Sequence, residues 1–316
     1  MKPFLKKLLL FLLPLLVLYG VLEFQLSRIP NNFNRKKETF EAQLGDIEAL
    51  IAGPSYANSI NPQFLGYKSY NLFNDAEDIY YHTKLIEKYL ERMPKLKLII
   101  LPISYYALEY RLDQSPASWR MSFYRSVWGI PPQSTLSYFN SVLYSYTAAY
   151  GWREVLNLIE RGFISSDQRR LYPNGWREIG TQTIAENAEW KRMGWQLVEL
   201  NESMMGADKI EGNMQLLSRL IETCQSQGIE VILITTPLHH FYYDHLKPDK
   251  LARMQENIQR LVSEYHVLYL NFMKDERFGT ADFYNPDHVS TAGAEKLSRI
   301  MDEIIRESSI LSGMGG

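Results

Sequence analysis

The chain has 316 residues, with 34 Lys and Arg against 36 Asp and Glu, a formal net charge of −2. That balance lacks the clustered basic excess of a nucleic-acid binder, and 46% hydrophobic with 22% charged residues excludes a disordered chain. A single cysteine, Cys224, excludes an internal disulfide framework and a cysteine-based zinc cluster, while aromatics are abundant at 13%, with 21 Tyr, 14 Phe and 6 Trp.

The N-terminus reads Met1-Lys2-Pro3-Phe4-Leu5-Lys6-Lys7 and then runs uncharged from Leu8 to Leu22. At about 1.5 Å per residue such a run spans roughly 22 Å, short of the ~30 Å hydrocarbon core. Phe24 and Leu26 extend it past Glu23, and Lys6 and Lys7 can snorkel. A cleaved signal peptide is the rival, but Gly20 follows Leu18 and Tyr19, a poor cleavage site. The flanking lysines argue against a buried core helix. Residues 1–26 therefore read as a cytoplasmic tip and transmembrane signal-anchor, and the polar segment 27–45 as a stalk. Lys2, Lys6 and Lys7 on one side nearly balance Arg28, Arg35, Lys36 and Lys37 on the other, so loop charge leaves the orientation close to a tie. A single-pass protein with its large domain extracytoplasmic, on the periplasmic or cell-surface side, is the expectation.

Beyond the stalk, Ile47–Ala52 reads as a short buried strand ending at Gly53-Pro54-Ser55, and Ser69–Phe73 as a second, followed by Asn74-Asp75. A helical period runs from Ala76 to Arg92, closed by Pro94. Lys97–Leu101 is a third strand, ending at Pro102-Ile103-Ser104. A helix over about Ile210–Gln227 stops at Gly228, a suitable cap, and leads to the strand Ile229–Ile234 and then Thr235-Thr236. A helix over about Asp249–Tyr265, the strand Val267–Leu270 and a final helix over Thr291–Glu307 complete the series. Strands that are continuous apolar runs alternating with helices predict a flavodoxin-like three-layer α/β/α domain over 46–310, with a central parallel sheet of about five strands. A largely helical, aromatic-rich insertion occupies 105–208, including a helix over Trp152–Phe163, and a flexible tail follows at 311–316.

In open parallel sheets sites form beyond the C-terminal strand ends. Those ends carry Ser55, Asn71 and Asn74, Ser104, Thr235-Thr236, and, past the fifth strand, Phe283-Tyr284-Asn285-Pro286-Asp287-His288. A serine hydroxyl is a weak nucleophile that needs a histidine base oriented by a third group. Gly53-Pro54-Ser55-Tyr56-Ala57 with Ile60-Asn61-Pro62, and Asn285-Pro286-Asp287-His288-Val289-Ser290 with Ala292-Gly293-Ala294, resemble the first and last blocks of the SGNH/GDSL hydrolase superfamily, closest to its membrane-anchored O-acyltransferase and esterase-like branch. The resemblance covers about residues 45–110 and 210–310.

It implies Ser55 as nucleophile and His288 as general base. The superfamily's orienting aspartate sits three residues before the histidine, where this chain has Asn285, so Asp287 becomes the expected acid, with Asn285 or Asp282 as alternatives. Tyr56 replaces the branch's frequent histidine, and the superfamily's oxyanion glycine and G-x-N-D asparagine are not recognisable. The Ser55 N–H and the Asn74 amide are the expected oxyanion donors, with Asn71, Ser104, Thr236 and His239 lining the site. His239-His240, His245 and Asp244 lack a companion ligand cluster, so no metal is expected, nor any organic cofactor.

The implied activity is transfer or hydrolysis of an O-linked acyl group, acetyl foremost, on a cell-surface glycan. A polytopic membrane O-acyltransferase is an implied partner, and no nucleic acid is expected. A catalytically inactive glycan-binding or assembly subunit of the same fold is the alternative, favoured by Asn285 and the missing oxyanion blocks. The aromatic residues gather in the insertion, from Tyr105-Tyr106 to Trp152 with Trp176, Trp190 and Trp195, and in Phe241-Tyr242-Tyr243. They are expected as packing, as a sugar-stacking surface above the cleft, or as a face resting on the membrane.

Overall fold

The computed structural model describes residues 2–29, 31–143, 146–162, 170–180 and 185–308; the expected tail at 311–316 lies outside them, as do Tyr144 and Phe163. Twelve helices and seven strands are described: α1 (Lys2–Ser27), α2 (Asn32–Glu41), β1 (Ala49–Gly53), β2 (Ser69–Phe73), α3 (Ile79–Tyr89), β3 (Leu98–Pro102), α4 (Met121–Ser126), α5 (Thr135–Leu143), α6 (Tyr146–Tyr150), α7 (Trp152–Glu160), α8 (Ala188–Ser203), α9 (Ile210–Ser226), β4 (Glu230–Thr235), α10 (His240–Tyr243), α11 (Pro248–Tyr265), β5 (Leu268–Asn271), β6 (Phe283–Asn285), β7 (His288–Val289) and α12 (Thr291–Glu307). They fall into two compact units, residues 1–35 with 116–168, and residues 36–115 with 169–316. The segment 105–208 is thus shared between the units.

The second unit is built on a parallel five-stranded sheet in the order β2-β1-β3-β4-β5, the flavodoxin-like α/β arrangement expected from the strand pattern. Register pairs Ile51 with Ile100, Ile100 with Ile232, and Ile234 with Leu270. Side chains alternate across a strand, so these residues share one face, and there they pack with Ala294, Leu297, Met301 and Ile305 of α12. Leu50, Ile99, Val231 and Leu233, all buried, point to the other face. Helices α3, α9 and α11 contact β1, β4 and β5. Both faces are covered, which is why the strands read as unbroken apolar runs. Because β2 and β3 flank β1 on opposite sides, the chain changes winding direction at the C-terminal end of β1, where crevices form in such sheets.

Residues 27–45 are not an extended stalk. α2 forms there because Lys36 and Phe40, four residues apart, lie on one face and are buried. Phe40 packs on Tyr70 and Tyr89, and the Lys36 ammonium donates to the Phe73 carbonyl.

In the first unit, α1 continues through Glu23 to Ser27. Its stretch Lys6–Ser27 is long and apolar enough to cross a membrane, with none of its apolar window buried. At about 1.5 Å per residue the helix covers the ~30 Å core that the uncharged run alone did not. The Glu23 carboxylate accepts from the N–H groups of Tyr146 (2.7 Å) and Thr147 (2.9 Å), at the start of α6.

Candidate active site

The chain leaves β1 through Gly53, whose φ of +138° lies outside the range of ordinary L residues. Pro54 then fixes the entry to a tight turn, Ser55–Ser59, with Ser55 as its first residue. Asn71, fully buried on β2, holds this turn in place. Its amide donates to the carbonyls of Ala57 (2.7 Å) and Ile60 (2.8 Å), and its Oδ1 accepts from Phe73 N–H (3.0 Å).

The histidine arrives from the other side on the hairpin β6–β7, where Asn285 pairs with His288. Asn285-Pro286-Asp287-His288 is a tight turn with Asn at its first position and Pro at its second, the chemistry such turns favour. Asn285 Oδ1 accepts the N–H of Asp287 (3.1 Å) and of His288 (2.7 Å). Asn285 therefore shapes the turn rather than facing the imidazole. A further brace comes from His239, whose N–H donates to the Pro286 carbonyl at 3.0 Å.

Ser55 Oγ lies 2.8 Å from His288 Nε2, and His288 Nδ1 lies 2.8 Å from Asp287 Oδ1. A carboxylate only accepts, so Nδ1 carries the proton, and Nε2 of the neutral ring presents a lone pair to the serine hydroxyl. The second Asp287 oxygen accepts from the Tyr56 hydroxyl at 3.0 Å. Tyr56 also stacks on the imidazole, with centroids 4.8 Å apart and planes 8° from parallel. Burial works to lower the His288 pKa, but the Asp287 charge and hydrogen bond outweigh it and hold it above the ordinary value. Asp287 is buried, which opposes its ionisation; the His288 charge and the bonds from His288 and Tyr56 overcome this and hold its pKa below normal.

Ser55 and His288 open onto a cleft of about 300 Å³, lined also by Asn58, Asp75, Arg177, Glu178 and Tyr284. Arg177 is buried and forks onto Asp75 at 2.8 and 3.0 Å. Its strand-like segment is stitched to the serine turn, with Asn58 donating to the Arg177 carbonyl (2.8 Å) and accepting its N–H (3.0 Å). On the same segment Gly175 (φ +78°) passes so close to β2 that a Cβ would lie 2.3 Å from the Asn71 carbonyl oxygen.

No protein-family model matches the chain. No curated protein matches its sequence. Solved structures that align with most of it include two hydrolase-type proteins. A protein described as an acylhydrolase, from Bacteroides fragilis, is 9% identical with a TM-score of 0.41, over 84% of this chain and 92% of that one. A GDSL-like lipase from Bacteroides thetaiotaomicron is 9% identical with a TM-score of 0.41, over 87% and 98%. A likeness of that size assigns neither family nor activity.

The other expected residues lie elsewhere. Asp282 accepts from Lys296 (2.8 Å) and from Gly279 N–H (3.0 Å). The Asn74 amide donates to Glu77 at 2.7 Å, and Asn74 does not line the cleft. Ser104 and Thr236 are buried around a small cavity with Tyr56 and Tyr242. His239 Nδ1 accepts from Phe241 N–H (3.2 Å) and Nε2 faces Glu186 (3.2 Å).

Glu186, His239 and His240 bring one ligand-type atom each within 4.8 Å of one another. The bond from Phe241 places the His239 proton on Nε2, so that nitrogen donates to Glu186 and offers no lone pair to a metal.

Among the described residues, the expected sugar-stacking surface is not found around Ser55. Tyr105, Tyr110, Trp128, Trp176 and Tyr242 are buried, and Tyr284 is the aromatic in the cleft lining besides the His288 ring. Trp176 packs with the sheet-face residues Ile51, Ile100 and Ile232, where its apolar area is better used than in water. Sequence reasoning did not single out Asn58, Asp75, Arg177 or Glu178, which belong to no recognisable motif. Asp75, directly after the second strand, was the one with a positional signal.

Proposed function

We propose that this chain is a serine-dependent acyl-ester hydrolase or acyltransferase of SGNH/GDSL type, anchored by α1 with its α/β unit extracytoplasmic. The observation that carries this reading is the Ser55–His288–Asp287 chain of hydrogen bonds. In the first step His288 Nε2 takes the hydroxyl proton as Ser55 Oγ bonds to an ester carbonyl carbon. The tetrahedral oxyanion is held by N–H groups at the start of the Ser55 turn, which have no acceptor within the turn. The imidazolium, stabilised by Asp287, then gives its proton to the departing alcohol as the C–O bond breaks. Water or an acceptor hydroxyl attacks the acyl-serine with His288 again as base, restoring Ser55 and yielding the acid or a new ester.

The cleft is open, and the side chains around it include Asn58, Asp75, Arg177 and Glu178, which favours a short acyl group on a hydroxyl-rich carrier such as a cell-surface glycan, gripped by hydrogen bonds rather than ring stacking. A polytopic membrane O-acyltransferase as acyl donor follows from the resemblance alone. The inactive-subunit alternative drew on Asn285 and on the missing oxyanion blocks; Asp287 at Nδ1 answers the first ground, and the second keeps that alternative as the one the probe below tests.

A fluorophosphonate probe on the detergent-solubilised full chain tests the reading, with p-nitrophenyl acetate turnover beside it. Labelling is expected in the unaltered chain, absent in Ser55→Ala, and slowed about a hundredfold or more in His288→Ala. Folded, unaltered protein that neither labels nor turns over the ester would sink it.

A further inference from the structure

The first unit carries apolar surface that its own core does not use. α5 is inside out: Ser137 and Ser141 are buried, whereas Leu136, Phe139 and Val142, spaced three apart, are exposed, Leu136 by 73%. The serines satisfy their hydroxyls locally, Ser137 with Ser134 Oγ (2.7 Å) and Ser141 with the Tyr138 carbonyl (2.8 Å). A helix bordering water has the opposite pattern.

α7 is apolar over a wide arc. At 3.6 residues per turn, Trp152, Val155, Leu156, Leu158 and Ile159 cover about 160° of its circumference. Val155 and Leu158 are buried against Leu26 and Ile29 at the end of α1. Trp152 (63%), Leu156 and Ile159 are exposed, and Arg153, Glu160 and Arg161 fill the opposite side.

We propose that these two helix faces lie in the interfacial layer of the same bilayer that α1 crosses, their ligand being lipid headgroups and the upper acyl chains. Three observations select lipid as the occupant. The exposed row of α7 is continuous with a row packed on the last turn of the membrane-spanning helix, so α7 starts at the depth where that helix leaves hydrocarbon. Glu23, one turn earlier, is already capped by α6, so the acidic group at that depth is satisfied by protein. An apolar-out, serine-in helix is stable only where its outside is apolar. Trp152 and Tyr138 suit the interface, and Arg153 and Arg161 can reach phosphates from the polar side.

This inference rests on the anchor reading, so the test reports on both. The full chain carries one added cysteine at a time, Leu16→Cys, Leu136→Cys, Leu156→Cys or Glu160→Cys, labelled with an environment-sensitive fluorophore and reconstituted in phosphatidylcholine–phosphatidylglycerol vesicles. Cys224 is buried with its pKa pushed up to about 12, and does not compete for label. Labels at 136 and 156 are expected to lose about half their emission or more to shallow doxyl lipids and to be shielded from iodide, with 160 the reverse and 16 quenched by deep doxyl lipids. Iodide access at 136 and 156 with 16 still in lipid overturns the docking while the anchor stands; iodide access at 16 as well overturns both. Shielding at 136 and 156 from iodide and lipid quenchers alike means a protein covers the surface, and the proposal fails.

Discussion

Tyr56 touches both His288 and Asp287. Its ring fixes the plane of the His288 imidazole, and its hydroxyl supplies the second donor that buried Asp287 needs. The Tyr106 ring meets the Tyr56 ring edge-on, with centroids 6.2 Å apart, and Tyr242, beside the same small cavity as Tyr56, accepts from the Asn201 amide at 2.7 Å. Tyr56→Phe keeps the stack and removes one bond to a charged group, worth about 1.4 kcal/mol, so kcat should fall about tenfold with KM little changed. The carboxylate it leaves is more basic and holds imidazolium more firmly, so the acid limb of the pH–rate profile should move up. A loss with an unmoved limb would make Tyr56 mere packing.

The base must be neutral to act, and its pKa is held above ~6.5, so activity in the unaltered chain should rise with pH through a midpoint above that value. In Asp287→Asn the opposing influence of burial prevails. The limb should move down, and kcat/KM should fall by about three to four orders of magnitude. A limb that stays in place would show that another group sets the base.

At the scale of elements, the β6–β7 hairpin does what three separate residues do in a more dispersed site. One turn presents His288 and Asp287 on neighbouring positions, and Asn285 satisfies two of its amides. Asn285→Ala leaves both without that acceptor and should cost about 1–2 kcal/mol in thermal unfolding, with slower probe labelling. Asn285→Asp introduces the residue type that the resemblance implied at this position but points it at the turn amides, so it should not speed labelling; a clear acceleration would mean the acid can reach the ring after all.

The same elements mark what a sequence makes legible. The five strands were readable because each is a continuous apolar run buried on both faces, and α12 because Ser290 caps it, accepting from Gly293 N–H at 3.2 Å. Ser55 and His288 were readable because both follow a strand and sit in compact local patterns. Asp287 was harder, since its role depends on a side-chain direction that the turn alone decides. Arg177 was illegible: its pairing with Asp75 joins positions 102 residues apart through one hairpin-like segment. α2 was misread because two inward residues, one of them a lysine, do not announce a buried face.

For the whole molecule, the decisive property is that each unit is discontinuous in sequence, and the first is closed by its N-terminal helix. Leu26 and Ile29 are 0% and 3% exposed, and with Val155 and Leu158 they make an apolar cluster of that unit. Helix α1 is therefore also a structural element of a helical unit. A chain starting at residue 31 loses two buried aliphatic side chains, worth roughly 3–6 kcal/mol together, and the Glu23 acceptor for two amides. The second unit keeps its sheet, its α12 face and every residue of the cleft. Fluorophosphonate labelling of Ser55 should therefore survive the truncation, while limited trypsin digestion should cut faster at Arg153 and Arg161 than in the full chain, by tenfold or more if opening of the unit governs cleavage (about 1.4 kcal/mol per decade). Equal resistance at those sites would show that the first unit stands without α1, whereas loss of labelling together with cutting throughout 169–308 would show that the two units fold only as one.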